Sequence, residues 1–368
     1  MSETKMSETR MSETKLSETA KSESAAPLLD VRHLSTEFKL KGKGFFPKAQ
    51  TLKAVRDVSF SVREGETLGI VGESGCGKST LGRSILRLIE PTEGQVVWQG
   101  RNLADLSAAD MRAARRDLSI IFQDPIASLD PRMTVGEIIA EPLRVAEPGL
   151  SRNERRARVE KVMAEVGLVA DMINRYPHEF SGGQAQRIGI ARAIVTEPKL
   201  IVCDEPVSAL DVSIQAQIVN LLADLRKRRG LTLLFISHDL SVVRLVSDRI
   251  LVLYLGRVVE EGTRAEVFET PAHPYARALL SAAPIPDPVA ARARRRTVLQ
   301  GDPPSPVNPP SGCAFRTRCP IAEPVCAEVP PELRPVSDTH RAACHFAGEE
   351  AARRMKAKEA PALEVLAG

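Results

Sequence analysis

Five short apolar runs recur through the middle of the chain, each rich in β-branched side chains: residues 68–71, 118–122, 200–203, 232–236 and 250–253. Continuous apolarity over so short a length marks strands buried on both faces. Between the second and third runs the spacing turns helical. Ser151, with Glu154 three residues on, makes a capping box, and Val159, Val162, Met163 and Val166 lay an apolar stripe behind it. Strands alternating with helical segments predict an α/β layer fold with a largely parallel sheet.

The pattern fails at both ends. The first 20 residues repeat a polar five-residue unit (MSETK, MSETR, MSETK, LSETA) with no apolar face to bury, which predicts a disordered tail over 1–27. Of the 26 prolines, 15 fall between Pro271 and Pro335. Proline removes backbone donors and breaks helices and central strands, so a boundary is expected near residue 270. The expected organisation is a main domain over 28–270 with a helical insert over about 124–185, an extension over 271–348, and an Ala-, Glu- and Lys-rich tail over 349–368.

Composition narrows the class. A chain of 368 residues, 43% apolar and 27% charged, has the usage of a globular protein and excludes a collagen-like fibre or wholesale disorder. The longest apolar runs, 231–236 and 250–255, are far short of the roughly 18 residues that a spanning helix needs. The net charge of +4 is too small to argue for nucleic acid. Six cysteines and no apolar leader segment point to a cytosolic chain with reduced thiols. Aromatic residues number only 14, so any aromatic at a functional position is conspicuous.

The first candidate chemistry follows the first strand. Gly72-Glu73-Ser74-Gly75-Cys76-Gly77-Lys78-Ser79 fits G-x-x-x-x-G-K-[ST] at every fixed position. Such a loop points successive backbone N–H groups at phosphate oxygens; Lys78 would reach the β and γ phosphates and Ser79 would ligate Mg²⁺. Thr80 would continue a helix whose positive end faces the anion. A second apolar strand, 200–203, delivers Asp204 and Glu205 at its carboxyl end, where nucleotide sites of open α/β sheets lie. Asp204 would hold Mg²⁺ and Glu205 would polarise the attacking water. Cys76 and Cys203 read as small buried residues.

Between these elements stands Phe180-Ser181-Gly182-Gly183-Gln184. Here the chain resembles an ABC-type ATPase, whose SGGQ signature precedes the acidic strand. The resemblance extends to Gln123, to Ser208-Ala209-Leu210-Asp211 and to His238, with Phe180 and Ala185 standing where the family more often has Leu and a polar residue. It implies a P-loop NTPase, a RecA-like core with a mostly parallel sheet, plus a helical signature subdomain. It also implies a head-to-tail pair of ATPase domains. Ser181, Gly182, Gly183 and Gln184 of one chain would close over ATP held by the other, and Asp211 would act across the pair. Gln123 would sense Mg²⁺ and water, and His238 would bond the γ-phosphate. An aromatic that stacks on adenine is implied upstream: Phe38, with Phe45 and Phe46 as rivals.

The segment Thr270-Pro271-Ala272-His273-Pro274-Tyr275, the following Ala278-Leu279-Leu280, the proline-rich stretch and the spaced cysteines resemble the C-terminal extension of ATP-binding subunits of dipeptide and oligopeptide importers. Residues 82–91 and 256–260 point the same way, so the resemblance covers about residues 30–346. It implies a peripheral subunit at the cytoplasmic face of the membrane, working with a homologous second ATPase, two permease subunits and, indirectly, a peptide-binding protein. A nickel or glutathione importer subunit is the rival within the family; a soluble ABC ATPase acting on nucleic acid or ribosomes is the rival outside it. Cys313, Cys319, Cys326 and Cys344 have no C-x-x-C pair, which counts against a zinc knuckle. A [4Fe–4S] cluster, implied for some family members, and plain packing are the readings left open, with His340 and His345 as lesser zinc candidates.

Overall fold

A computed structural model of the chain describes residues 26–40, 50–282 and 301–359; the five-residue repeat, Phe45 and Phe46 lie outside the described residues. Its centre is five parallel strands, β9 (Arg249–Tyr254), β3 (Thr67–Val71), β8 (Thr232–Ile236), β7 (Leu200–Asp204) and β6 (Leu118–Ile121), adjacent in that order. Strands β3, β7 and β8 are buried at every position, which is why they read as unbroken apolar runs.

The sheet divides two cores. Ile201, Cys203, Leu233 and Phe235 point into one, shared with helices Val135–Ala146, Arg152–Glu165 and Gly182–Ile194. Leu200, Val202, Leu234 and Ile236 point into the other, shared with a separate antiparallel sheet ordered β2-β1-β4-β5. In that sheet β1 (Leu29–Leu40) pairs with β2 (Gln50–Val62) and β4 (Glu93–Trp98), and β4 pairs with β5 (Arg101–Asn102). The strand patterns did not announce it for a physical reason. Register shifts interrupt the β1–β2 pairing, and His33 and Asp57 take positive φ values of 51° and 54°. Bulges of this kind destroy the period of two that identifies a half-buried strand.

In the helical insert the capping box forms as the residues suggest: Ser151 N–H donates to Glu154 Oε2 at 2.8 Å and Glu154 N–H to Ser151 Oγ at 3.3 Å. Val159, Val162, Met163 and Val166 are buried behind it.

The residues past 270 do not stand apart from this fold. β12 (Arg341–Ala342) pairs with β10 (Arg257–Thr263), itself antiparallel to β9, and β11 (Arg334–Pro335) extends the same sheet to eight strands. Tyr275 and Phe315 are buried in the larger core. The polar end segment carries a helix, Glu349–Glu359, whose Ala351 and Met355 pack on Ile321.

Candidate functional site

Parallel strands in register finish at one edge, and that edge gathers the candidate residues. The turn from β3 into helix Lys78–Ile85 is the glycine-rich loop. Gly77 has φ +105°, and a Cβ there would stand 2.1 Å from the Ala54 carbonyl oxygen, so only glycine fits. The helix has no side-chain cap, which leaves its first N–H groups and positive end open toward an anion. Thr80 lies in its first turn.

Lys78 is 4% exposed, and its Nζ donates to the carbonyls of Gly72 at 2.8 Å and Glu73 at 3.0 Å. Ser79 Oγ donates to Asp204 Oδ1 at 2.6 Å. A hydroxyl and a carboxylate side by side form the hard oxygen pair that suits a magnesium ion. Arg83 Nη2 lies 3.3 Å from Asp204 Oδ2, so the fully buried Asp204 has both a hydrogen bond and a counter-charge.

Glu205 is the hub. Its Oε2 accepts from Gln123 Nε2 at 3.0 Å and lies 3.2 Å from His238 Nδ1, and its Oε1 is 3.8 Å from Lys78 Nζ. Its backbone sits at φ 48°, in a region that costs a non-glycine residue roughly 1 kcal/mol and is found most often where function demands it. The N–H of Glu205 donates to the Ile236 carbonyl at 3.0 Å, which locks this turn to the end of β8 just ahead of His238. A cleft of about 1060 Å³ opens on the group, lined among others by Ser74, Arg83, Gln123, Glu205 and His238.

The signature lies elsewhere. Ser181 caps helix Gly182–Ile194 in a box with Gln184. Gly183 is pressed against the next motif, because a Cβ there would stand 2.6 Å from Ile214 Cγ2. Asp211 caps helix Val212–Arg229, its Oδ1 accepting from Ser213 Oγ at 2.7 Å and Ile214 N–H at 3.0 Å; these bonds hold its carboxyl below the usual carboxylate range. The signature and Asp211 are thus brought together within the chain, and neither lines the cleft at Glu205. Phe38 is half-buried on β1 opposite Leu52 and is not among the residues that line the cleft.

Burial pushes the Cys76 thiol up to about 11 and the Cys203 thiol further still, as befits packing residues. The C-terminal thiols bear on the metal expectation. Burial raises Cys313, Cys319 to about 12 and Cys344 to about 11, and their mutual repulsion adds to the shift. These three therefore share one neighbourhood with Cys326, whose carbonyl accepts from Cys313 N–H at 2.8 Å. Among the described residues no group of three or more His, Cys, Asp or Glu side chains is arranged to hold a metal ion. His340 Nε2 is instead 2.8 Å from Glu260 Oε1, and His345 Nε2 is 3.0 Å from the Val329 carbonyl. Among the described residues nothing in this arrangement supports the iron–sulfur or zinc expectation.

Three side chains to which motif reading gave no role contact it: Arg83 reaches Asp204, and Tyr275 and Arg318 reach Glu73. Tyr275 belongs to a residue type used three times in the chain, which was a usable signal. Arg318 carries none.

The chain matches the ABC transporter family over residues 55–208 and the oligopeptide/dipeptide transporter C-terminal region over 259–326. It is 57% identical to the oligopeptide transport ATP-binding protein OppF of Haemophilus influenzae over 319 residues, 86% of this chain and 96% of that one. It is 59% identical to OppF of Escherichia coli over 308 residues, 83% and 92%. Among solved structures it resembles a dimeric ATP-binding cassette in a post-hydrolysis state bound to ADP and Pi, with 32% identity and a TM-score of 0.57 over 64% of this chain and 98% of that one. Two matched segments and relatives aligned along nearly their whole length lead to one conclusion: the chain belongs to the oligopeptide transport ATP-binding proteins of the ABC transporter family.

Proposed function

We propose that this chain is the ATP-hydrolysing subunit that powers an importer of dipeptides or oligopeptides. The observation that carries the reading is the Glu205 hub at the carboxyl edge of the parallel sheet, with Gln123, His238 and Lys78 around one carboxylate. The phosphate loop from Gly72 to Thr80 binds the triphosphate, with Lys78 on the β and γ phosphates. Ser79 and Asp204, with Gln123 beside them, would hold a magnesium ion, which supplies charge neutralisation on the phosphates when bound. Glu205 orients the attacking water and takes its proton, while Gln123 and His238 fix the carboxylate's direction. His238 presents its other ring nitrogen toward the γ-phosphate.

The signature is not among the residues that line the Glu205 cleft, which supports a head-to-tail pair, in which Ser181, Gly182, Gly183 and Gln184 of one chain complete the site of its partner beside Asp211. The helical insert passes closure to two permease subunits. No helix among the described residues is long and apolar enough to cross a membrane, which agrees with a peripheral subunit on the cytoplasmic face. Phe38 is the candidate for stacking on adenine.

The test is Glu205→Gln, assayed with membrane partners present. ATP binding persists and steady turnover falls by ~10²-fold or more, the scale of losing a general base. Wild-type turnover in that variant would sink the assignment.

A further inference from the structure

The phosphate loop is gripped from outside by two side chains that lie beyond residue 270. Both terminal nitrogens of Arg318 reach the Glu73 carboxylate, Nη1 to Oε2 at 2.7 Å and Nη2 to Oε1 at 2.9 Å, a bidentate fork. The backbone N–H of the same Glu73 donates to the Tyr275 hydroxyl at 2.9 Å. The carbonyl of Glu73 in turn accepts from Lys78 Nζ at 3.0 Å. One residue of the loop therefore links the C-terminal region to the lysine of the phosphate site.

The grip is rigid and shielded. The Arg318 side chain is 6% exposed, unlike the solvated surface pairs that contribute little. Its loop is turned by hydrogen bonds from Arg316 N–H to the Cys313 carbonyl at 3.1 Å and from Arg318 N–H to the Phe315 carbonyl at 3.0 Å. Phe315 meets Tyr254 edge-on at 5.3 Å and Tyr275 at 5.4 Å, and the two tyrosines lie 4.6 Å apart. In a chain so poor in aromatics, this cluster backs the phosphate loop.

Electrostatics gives the grip a purpose. A carboxylate in a loop that must receive a polyanion opposes binding, and an arginine locked onto it cancels that charge. We propose that Arg318 and Tyr275 are positioning residues for the nucleotide site: they fix and neutralise Glu73, so that the C-terminal region sets nucleotide affinity without touching nucleotide. The inference rests on the phosphate loop being the ATP site.

The experiment is ATP titration of the full-length chain with magnesium present, in a double-mutant cycle. Arg318→Met weakens binding by about tenfold, within the range of coupling through packed networks, and the penalty shrinks at high salt. In a Glu73→Gln background, the same change costs less than about twofold, because no charge is left to cancel. Tyr275→Phe, which keeps the ring packed, weakens binding by about threefold. Arg318→Lys keeps the charge and restores part of the affinity; with Tyr275→Phe it carries the test should Arg318→Met fail to fold. Unchanged affinity in Arg318→Met, or an equal penalty in both backgrounds, overturns the proposal. Lys78→Ala checks the underlying reading separately: if that variant binds ATP normally, the site assignment fails rather than the grip.

Discussion

The carboxyl edge of the parallel sheet and the region past residue 270 both reach the glycine-rich loop, and they are built in opposite ways. At the sheet edge most candidate residues lie within a few positions of a strand end: Gly72 after β3, Gln123 after β6, Asp204 and Glu205 at β7, His238 after β8. Strand register alone brings them together. The C-terminal region has two short strands among the described residues of 301–348, and hydrogen bonds between distant positions hold it in place. Ser337 reaches Glu266 across 71 positions, His340 reaches Glu260 across 80, and Arg318 reaches Glu73 across 245. The first kind of construction tolerates loop variation because the sheet does the positioning. The second depends on a few buried side chains, so single substitutions should propagate.

The sharpest way to break this contrast is at the seam. Phe315 is 1% exposed, and Phe315→Ala costs about 3–5 kcal/mol, the usual penalty for emptying an aromatic core site. Because Tyr254, Tyr275 and Phe315 share the larger core, denaturant unfolding monitored by two probes should still show one transition at lower midpoint. An early separate transition for the C-terminal region, with the nucleotide lobe unmoved, would show two independent units.

A smaller effect comes from His273, which burial holds down to about 3. The unfolded chain takes up that proton near pH 6.5, whereas the folded chain stays neutral until about pH 3. Between those values the unfolded state binds more protons, so stability is present above pH 6.5 and is lost as pH falls toward 3. Between pH 7 and 5.5 the loss is about 1 kcal/mol, and His273→Gln should remove that part of the slope. Identical slopes in the two proteins would discard the account.

The smallest effect is kinetic. With its thiol held up to about 11, Cys344 is ionised in about one molecule in a thousand at pH 8. Alkylation followed by mass spectrometry should find it slow in the folded chain and fast in denaturant. Rapid labelling of the native protein would contradict the half-buried, protonated state.

Local sequence was sufficient wherever chemistry depends on neighbours along the chain. The phosphate loop, the acidic strand end and the capping box at Ser151 were legible because each is a fixed spacing with its own hydrogen bonds. The five core strands were legible because burial on both faces leaves an unbroken apolar run. The antiparallel sheet was hidden by bulges at positions such as His33 and Asp57. The clustering of four cysteines left a metal site open, but burial raises Cys313, Cys319 and Cys344, and among the described residues no ligand set is arranged.

By itself, then, the sequence determined the kind of site and the strand ends that build it, because a run of backbone N–H groups and a buried strand are properties of consecutive residues. Only the tertiary structure decided that Gln123 and His238 share the Glu205 carboxylate, and that Arg318 and Tyr275 hold Glu73. Pairs so far apart leave no period in the chain, and which of many arginines finds which carboxylate is set by packing alone.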